Sequence, residues 1–192
     1  VQRRLQQAAR DAGRNPEDIL LLAVSKTRTS AQVRTAMESG LSSFGENYLQ
    51  EAVEKIAQLS NSAISWHFIG PLQSNKTRQV AEHFDWVHTV DRLKIAKRLS
   101  DQRAPDMPAL NVCLQINIDN ESSKSGLSPE QAIEVANSVA LLPNLRLRGL
   151  MAIPKPSTEP AEQRQPFARL RALLEEINTR LDNSQKLDTL SM

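Results

Sequence analysis

Ile19-Leu20-Leu21-Leu22-Ala23-Val24-Ser25-Lys26 is the stretch that decides how this chain is read. Seven uncharged residues, six of them apolar, run up to a lysine that closes the stretch. A short continuous apolar run suits a strand buried on both faces of a parallel sheet. Its lysine then stands at the strand's C-terminal end, where ligands bind in α/β barrels and in open α/β sheets. A lysine pressed against apolar walls loses hydration, which favours the neutral amine. A neutral amine can attack an aldehyde. The same position also suits a lysine that ends a core strand and reaches solvent, because charged side chains are seldom buried unpaired.

On either side the pattern alternates. Leu5, Ala8, Ala9 and Ala12 fall at helical spacing ahead of Gly13. Strands are expected over residues 19–25, 41–46, 64–69, 86–90, 110–118, 145–153 and 187–192. Between them lie helical patterns. One spans about 30–39, capped by Thr29 or Ser30 and ended by Gly40. A second carries Leu49, Ala52, Val53 and Ile56 behind a cap at Asn47, and a third begins at Ser74-Asn75. A fourth carries Leu93, Ala96 and Leu99 behind a cap at Asp91. Ser128-Pro129-Glu130-Gln131 combines a cap serine, a proline at the first helical position and a capping-box glutamine. A long helix is expected over 162–181, with Pro166 in its first turn or kinking it. Strand and helix in alternation argue a parallel sheet with right-handed crossovers. Doubly wound sheets and barrels both fit. Seven strands in one run favour a (β/α)8 TIM barrel lacking its last strand and helix, with residues 1–192 as a single domain.

Composition excludes several functions. Lys and Arg number 24 against 22 Asp and Glu, for a formal charge of +2, and aromatics make up 4%. There is neither a basic stripe nor a stacking platform for nucleic acid. No apolar run is long enough to span a bilayer, and the N-terminus lacks the order of a secretion signal. The single cysteine, Cys113, sits in an apolar run and reads as a small core residue, which fits a reducing cytoplasm. A dinucleotide fingerprint, a P-loop and a nucleophile elbow are all missing. His67, His83 and His88 have no metal-ligand spacing with one another or with Cys113, so no metal is expected. If the strands form a barrel, Lys26, Asn47, His67, Thr89 to Asp91, Asn117, Met151 and Ser191 meet at one rim and make a plausible small-molecule pocket. Asn47 equally suits a helix cap, and His67 a hydrogen-bonded strand end. The loop Ser122-Ser123-Lys124-Ser125-Gly126 reads as a small anion nest or as a solvated turn.

Six blocks in order carry a resemblance: Leu22-Ala23-Val24-Ser25-Lys26-Thr27, Phe44-Gly45-Glu46-Asn47-Tyr48, Trp66-His67-Phe68-Ile69-Gly70-Pro71-Leu72-Gln73-Ser74-Asn75-Lys76, Ser123-Lys124-Ser125-Gly126, Gly149-Leu150-Met151-Ala152-Ile153 and Leu190-Ser191-Met192. Together they resemble the pyridoxal 5′-phosphate homeostasis protein family, the YggS/PROSC type, over essentially the whole chain. The resemblance implies a barrel of the alanine racemase N-terminal type. It implies that pyridoxal phosphate (PLP) is held as a reversible Schiff base on Lys26. Asn47 and Ser191 match positions lining the cofactor, and Met151 and His67 match pocket positions. Lys124 matches a rim lysine, and Arg28 could draw in the phosphate or be an exposed residue at a helix entry.

The implied role is to hold and deliver PLP, keeping vitamin B6 and amino-acid pools balanced, with no catalytic residues and no robust turnover. PLP-dependent apo-enzymes would be its partners, and a cytoplasmic monomer is expected. The alternative is a PLP-dependent racemase. Such an enzyme needs a second acid/base on the opposite cofactor face, and the lone tyrosine, Tyr48, lies beside Asn47 on the same rim. The family continues past Leu-Ser-Met with Gly-Met-Ser-x-Asp and a Val-Arg-x-Gly strand that hold the phosphate. A chain stopping at Met192 is expected to leave its edge strands unpaired and to bind PLP weakly or not at all.

Overall fold

A computed structural model describes residues 1–60, 63–121 and 124–192. After helix α1 (Gln2–Asp11) come β1 (Ala23–Val24), α2 (Ser30–Glu38), β2 (Ser43–Glu46), α3 (Leu49–Gln58), β3 (Ser65–Phe68) and α4 (Thr77–His83). They are followed by β4 (Trp86–Val90), α5 (Leu93–Gln102), β5 (Leu110–Gln115), α6 (Pro129–Ala140), β6 (Leu145–Met151), α7 (Pro160–Arg180) and β7 (Thr189–Ser191). The seven strands form one sheet in the order β1 to β7. Every pairing is parallel, as the alternating pattern requires.

The main core lies between the sheet and its helices. Phe44, Phe68, Val87, Val112 and Leu114 are buried there against helix residues such as Val80, Leu99, Leu170 and Ile177. Residues of the other parity face inward, among them Gly45, His67, Trp86 and His88. That inner face is curled. His88 of β4 and Ser191 of β7 approach to 2.7 Å. In a flat sheet those strands would stand three spacings apart, about 14 Å. Only a sheet rolled toward a barrel brings the two side chains into contact.

Two capping boxes were legible and are present: Thr29 with Gln32, and Ser128 with Gln131. Other expectations are corrected. The apolar run 19–25 yields only two strand residues, Ala23 and Val24, and it is not buried on both faces. Leu20 is 64% and Val24 51% exposed. The register explains Val24: its neighbour across the ladder is Gly45, which has no side chain to cover it. Moreover, β1 pairs with β2 alone among the described residues. Asn47 and Asp91 do not cap helices. The cap positions fall one residue later, at Tyr48 and Arg92, without a side-chain bond. Asp91 instead pairs with Arg92 at 2.7 Å. The last helix starts at Pro160, so Pro166 is its seventh residue rather than part of its first turn. It removes one backbone hydrogen bond from the helix interior.

Gly149 permits the β6–β7 pairing. A Cβ there would run into the backbone carbonyl of Thr189, its register partner. Gly149→Ala is therefore expected to cost about 2 kcal/mol and to lower Tm by about 4–8 °C. Amide exchange should rise first in β7. An unchanged Tm with β7 amides still protected would show that the strand can shift freely.

Candidate functional site

The C-terminal end of β1 is held from below by a buried ionic cluster. Glu46 at the end of β2 is fully buried, and Lys55 in the last turn of α3 is 4% exposed. Glu46 Oε1 accepts hydrogen bonds from Ser25 Oγ and from Lys55 Nζ, both at 2.6 Å. Lys55 Nζ also donates to the Ser25 carbonyl at 2.7 Å and pairs with Glu51 at 2.6 Å. Glu51 in turn accepts the backbone N–H of Thr27 at 2.7 Å. Thr27 adopts φ 62°, a conformation that non-glycine residues seldom take. Ser25 and Thr27 are thus tied down, and the Lys26 side chain between them is left exposed. The expected desolvated lysine between apolar walls is not what the fold builds: β1 pairs with β2 alone among the described residues, and the Lys26 side chain beyond it is exposed.

A cavity of about 370 Å³ opens at the same end of the sheet. Asn47, Leu72, Thr89, Lys124 and Met151 line it. Asn47 and Met151 thus share one cavity, whereas Lys26, two residues past β1, and Ser191, the last residue of β7, are not among its lining residues. Lys124 is partly engaged: it pairs with Glu121 at 2.7 Å and donates to the Ile153 carbonyl at 3.2 Å. Asn117 also lines the cavity, with its amide engaged in its own loop. It donates to the Glu121 carbonyl at 2.8 Å and accepts the Glu121 N–H at 3.0 Å, organising its own loop. Arg28 is exposed beside Lys26. Of the anion nest expected over 122–126, Ser122 and Ser123 lie outside the described residues.

His67 is not on the rim. It is buried below it, stacked on Trp86 with ring centroids 5.4 Å apart and planes 10° from parallel. The Arg148 guanidinium lies 4.9 Å from the Trp86 ring centroid and is bonded to Asp188 at 2.8 Å. His67 Nδ1 lies 2.9 Å from His88 Nε2, and His67 Nε2 lies 3.2 Å from Ser65 Oγ. Sequence spacing separated the two histidines, but the β3–β4 register sets His67 opposite Trp86, with His88 two residues on along the same face. Glu46, Lys55 and His88 are the residues that sequence reasoning missed. For Glu46 the available signal was a carboxylate at the end of an otherwise buried strand.

Burial lowers His67 to about 3, with the neighbouring His88 adding to the effect, and lowers His88 to about 4 by burial alone. Both rings are neutral in the folded chain near pH 7. The unfolded chain takes up protons on them below their ordinary value of about 6.5. Their contribution is therefore complete above that pH and is lost as pH falls toward 4 and 3. Unfolding by urea should show stability declining below pH 6.5, by about 1.4 kcal/mol per pH unit for each ring. A flat profile from pH 6.5 to 4.5 would mean that the rings are not kept neutral. Cys113, fully buried behind this layer, has its thiol pushed up to about 12 by burial and serves as the small core residue its sequence setting suggests.

The family model described as "Alanine racemase, N-terminal domain" matches residues 1–189. The chain is 59% identical to the pyridoxal phosphate homeostasis protein of Pseudomonas aeruginosa over 192 residues, which is 100% of this chain and 81% of that one. It is 50% identical to the Escherichia coli K12 protein of the same name over 195 residues, with 100% and 82% coverage. Among solved structures, PipY of Synechococcus elongatus PCC7942 with PLP bound superposes with a TM-score of 0.83 at 33% identity, covering 98% of this chain and 87% of PipY.

Proposed function

This chain belongs to the pyridoxal phosphate homeostasis protein family, with the alanine racemase N-terminal fold, and from that premise we propose that it binds PLP at the C-terminal end of its sheet through Lys26. The observation that carries the reading is the clamped turn. Ser25 and Thr27 are fixed by Glu46, Lys55 and Glu51, which leaves the primary amine between them exposed and free to react.

The donor set suits the cofactor. Asn47 and Met151 line a cavity of about 370 Å³ at the strand ends, and the Lys26 amine and the Ser191 hydroxyl belong to the same end of the sheet. That volume lies within the range of small-ligand pockets. When bound, PLP supplies an aldehyde that condenses reversibly with a primary amine. Lys26 provides that amine, and Glu46 and Lys55 hold its backbone in place. Ser191 and Asn47 offer hydrogen bonds to the polar groups of the ligand, and Met151 offers apolar contact. His67 acts from beneath rather than by touching the ligand. Arg28 is exposed where it can attract a phosphate, and Lys124 can do so once released from Glu121.

The role we infer is storage and delivery of PLP within one domain, without turnover of an amino acid, by a cytoplasmic monomer that gives PLP up to apo-enzymes. Tyr48, the chain's one tyrosine, is 56% exposed at the start of α3 beside Asn47, which disfavours a racemase acid/base on the far cofactor face. The test is an absorbance spectrum with PLP, followed by borohydride reduction and peptide mapping. A visible band and a reduced adduct on the peptide bearing Lys26 are expected. An adduct mapping elsewhere, or alanine racemisation by the pure protein, would overturn the reading.

A further inference from the structure

Four polar side chains form a continuous chain across the inside of the curled sheet: Ser65, His67, His88 and Ser191. Their contacts are 3.2 Å from Ser65 Oγ to His67 Nε2, 2.9 Å from His67 Nδ1 to His88 Nε2, and 2.7 Å from His88 Nδ1 to Ser191 Oγ. The first three groups lie below the site. The fourth ends β7, paired in register with Met151 of the cavity wall.

We propose that His88, itself oriented by His67 and Ser65, is a positioning residue that fixes the Ser191 hydroxyl as a hydrogen-bond donor toward an anionic oxygen of bound PLP. The inference rests on the PLP reading above and deepens it.

Hydrogen-bond polarity carries the argument. A neutral imidazole has one donor and one acceptor nitrogen. Three contacts in a row then allow two arrangements. In the first, Ser65 O–H donates to His67 Nε2, His67 Nδ1–H donates to His88 Nε2, and His88 Nδ1–H donates to Ser191 Oγ. The Ser191 proton is then free to point outward. In the second, every bond is reversed, the Ser191 proton is spent on His88 Nδ1, and only lone pairs face the ligand.

An anionic oxygen of the ligand selects the first arrangement, because it requires donors and repels lone pairs. Both rings are buried, at 2% and 5% exposure. Burial keeps them neutral, so neither ring escapes the choice by donating from both nitrogens. In the selected arrangement both histidines carry the proton on Nδ1, the tautomer that a free histidine side chain in water disfavours. The stack of His67 on Trp86 prevents the first ring from turning away. Bonds that align head to tail also polarise one another, which strengthens the last donor.

The decisive experiment is a long-range proton–nitrogen correlation spectrum of the uniformly nitrogen-15-labelled chain with PLP, its absorbance recorded on the same sample. With PLP loaded, both His67 and His88 are expected as Nδ1–H tautomers. A loaded sample in which either ring carries its proton on Nε2 overturns the proposal and leaves the PLP reading standing. A sample without a PLP band overturns both, and absorbance distinguishes that case. Two variants add an independent readout. His88→Asn keeps a donor near the place of Nδ1, whereas His88→Leu keeps none. PLP affinity is expected to fall about tenfold in His88→Leu and to recover to within about threefold of the parent in His88→Asn. Equal losses in the two variants would reduce His88 to a packing role. The tautomer measurement uses the unaltered chain, so it decides the matter even if His88→Leu does not fold.

Discussion

Lys26→Ala is expected to remove the borohydride-reducible PLP adduct completely while leaving the fold intact. The side chain is exposed, so its loss uncovers no core. Its neighbours are held by backbone and by Ser25 Oγ, none of which the substitution touches. Removal of Ser191 predicts the complementary result. Ser191→Ala keeps the amine and so keeps the adduct. It deletes a hydrogen bond to a charged group, worth about 1.5–3 kcal/mol, which weakens PLP binding by about 10- to 150-fold. The pair of variants thus separates covalent capture from anion recognition. An adduct that persists in Lys26→Ala on another lysine would show that the clamped turn is not the site of attachment.

Glu46→Ala is expected to be the most destabilising substitution near the site. It removes the fully buried one of the two carboxylates that pair with Lys55 Nζ at 2.6 Å, leaving only the partly exposed Glu51, and it strands the Ser25 hydroxyl. Breaking one member of a buried pair costs about 3–5 kcal/mol, or a fall in Tm of about 6–20 °C for a chain of this size. Replacing both partners, Glu46→Leu with Lys55→Met, should recover much of that stability, since apolar residues of similar volume often substitute well for a buried pair. Indeed, Glu46 Oε2 already lacks a hydrogen-bond partner among the described residues. The double variant is nevertheless expected to load PLP more slowly than the parent, because the Ser25 hydroxyl then loses its acceptor and the Ser25 carbonyl keeps only the Arg28 N–H at 3.0 Å. A double variant both stable and fully competent would mean that the cluster serves stability alone. Urea unfolding and the rate of adduct formation are the two measurements.

These predictions depend on residues whose legibility in the sequence differed. Lys26 was legible because an apolar run ending in lysine announces a strand's C-terminal end, and parallel α/β sheets place their ligands there. By the same rule Asn47, Met151 and Ser191 were expected at later strand ends, and of these Asn47 and Met151 line the cavity. Glu46 was not legible as a clamp. Its partners Ser25 and Lys55 come from a different strand and a helix, and only the β1–β2 register with the packing of α3 brings them within 2.6 Å. His67 was expected on the rim and lies beneath it, because its side chain points to the inner face one layer below the strand ends. The helix caps expected at Asn47 and Asp91 failed for a local reason: each helix begins one residue later than the cap-type residue suggested.

The sequence by itself determined the alternation of strands and helices, the parallel sheet and the amine at its C-terminal end. These depend on local periodicity and on short-range rules of capping and connection, which operate within a few dozen residues. Only the tertiary structure decided which side chains meet across the inner face. The curl of the sheet carries His88 to Ser191, 103 positions away in sequence, and the strand register carries His67 to His88. Contacts of that range depend on how far the sheet rolls and which residues share a layer, and neither quantity is written in the pattern of any single strand.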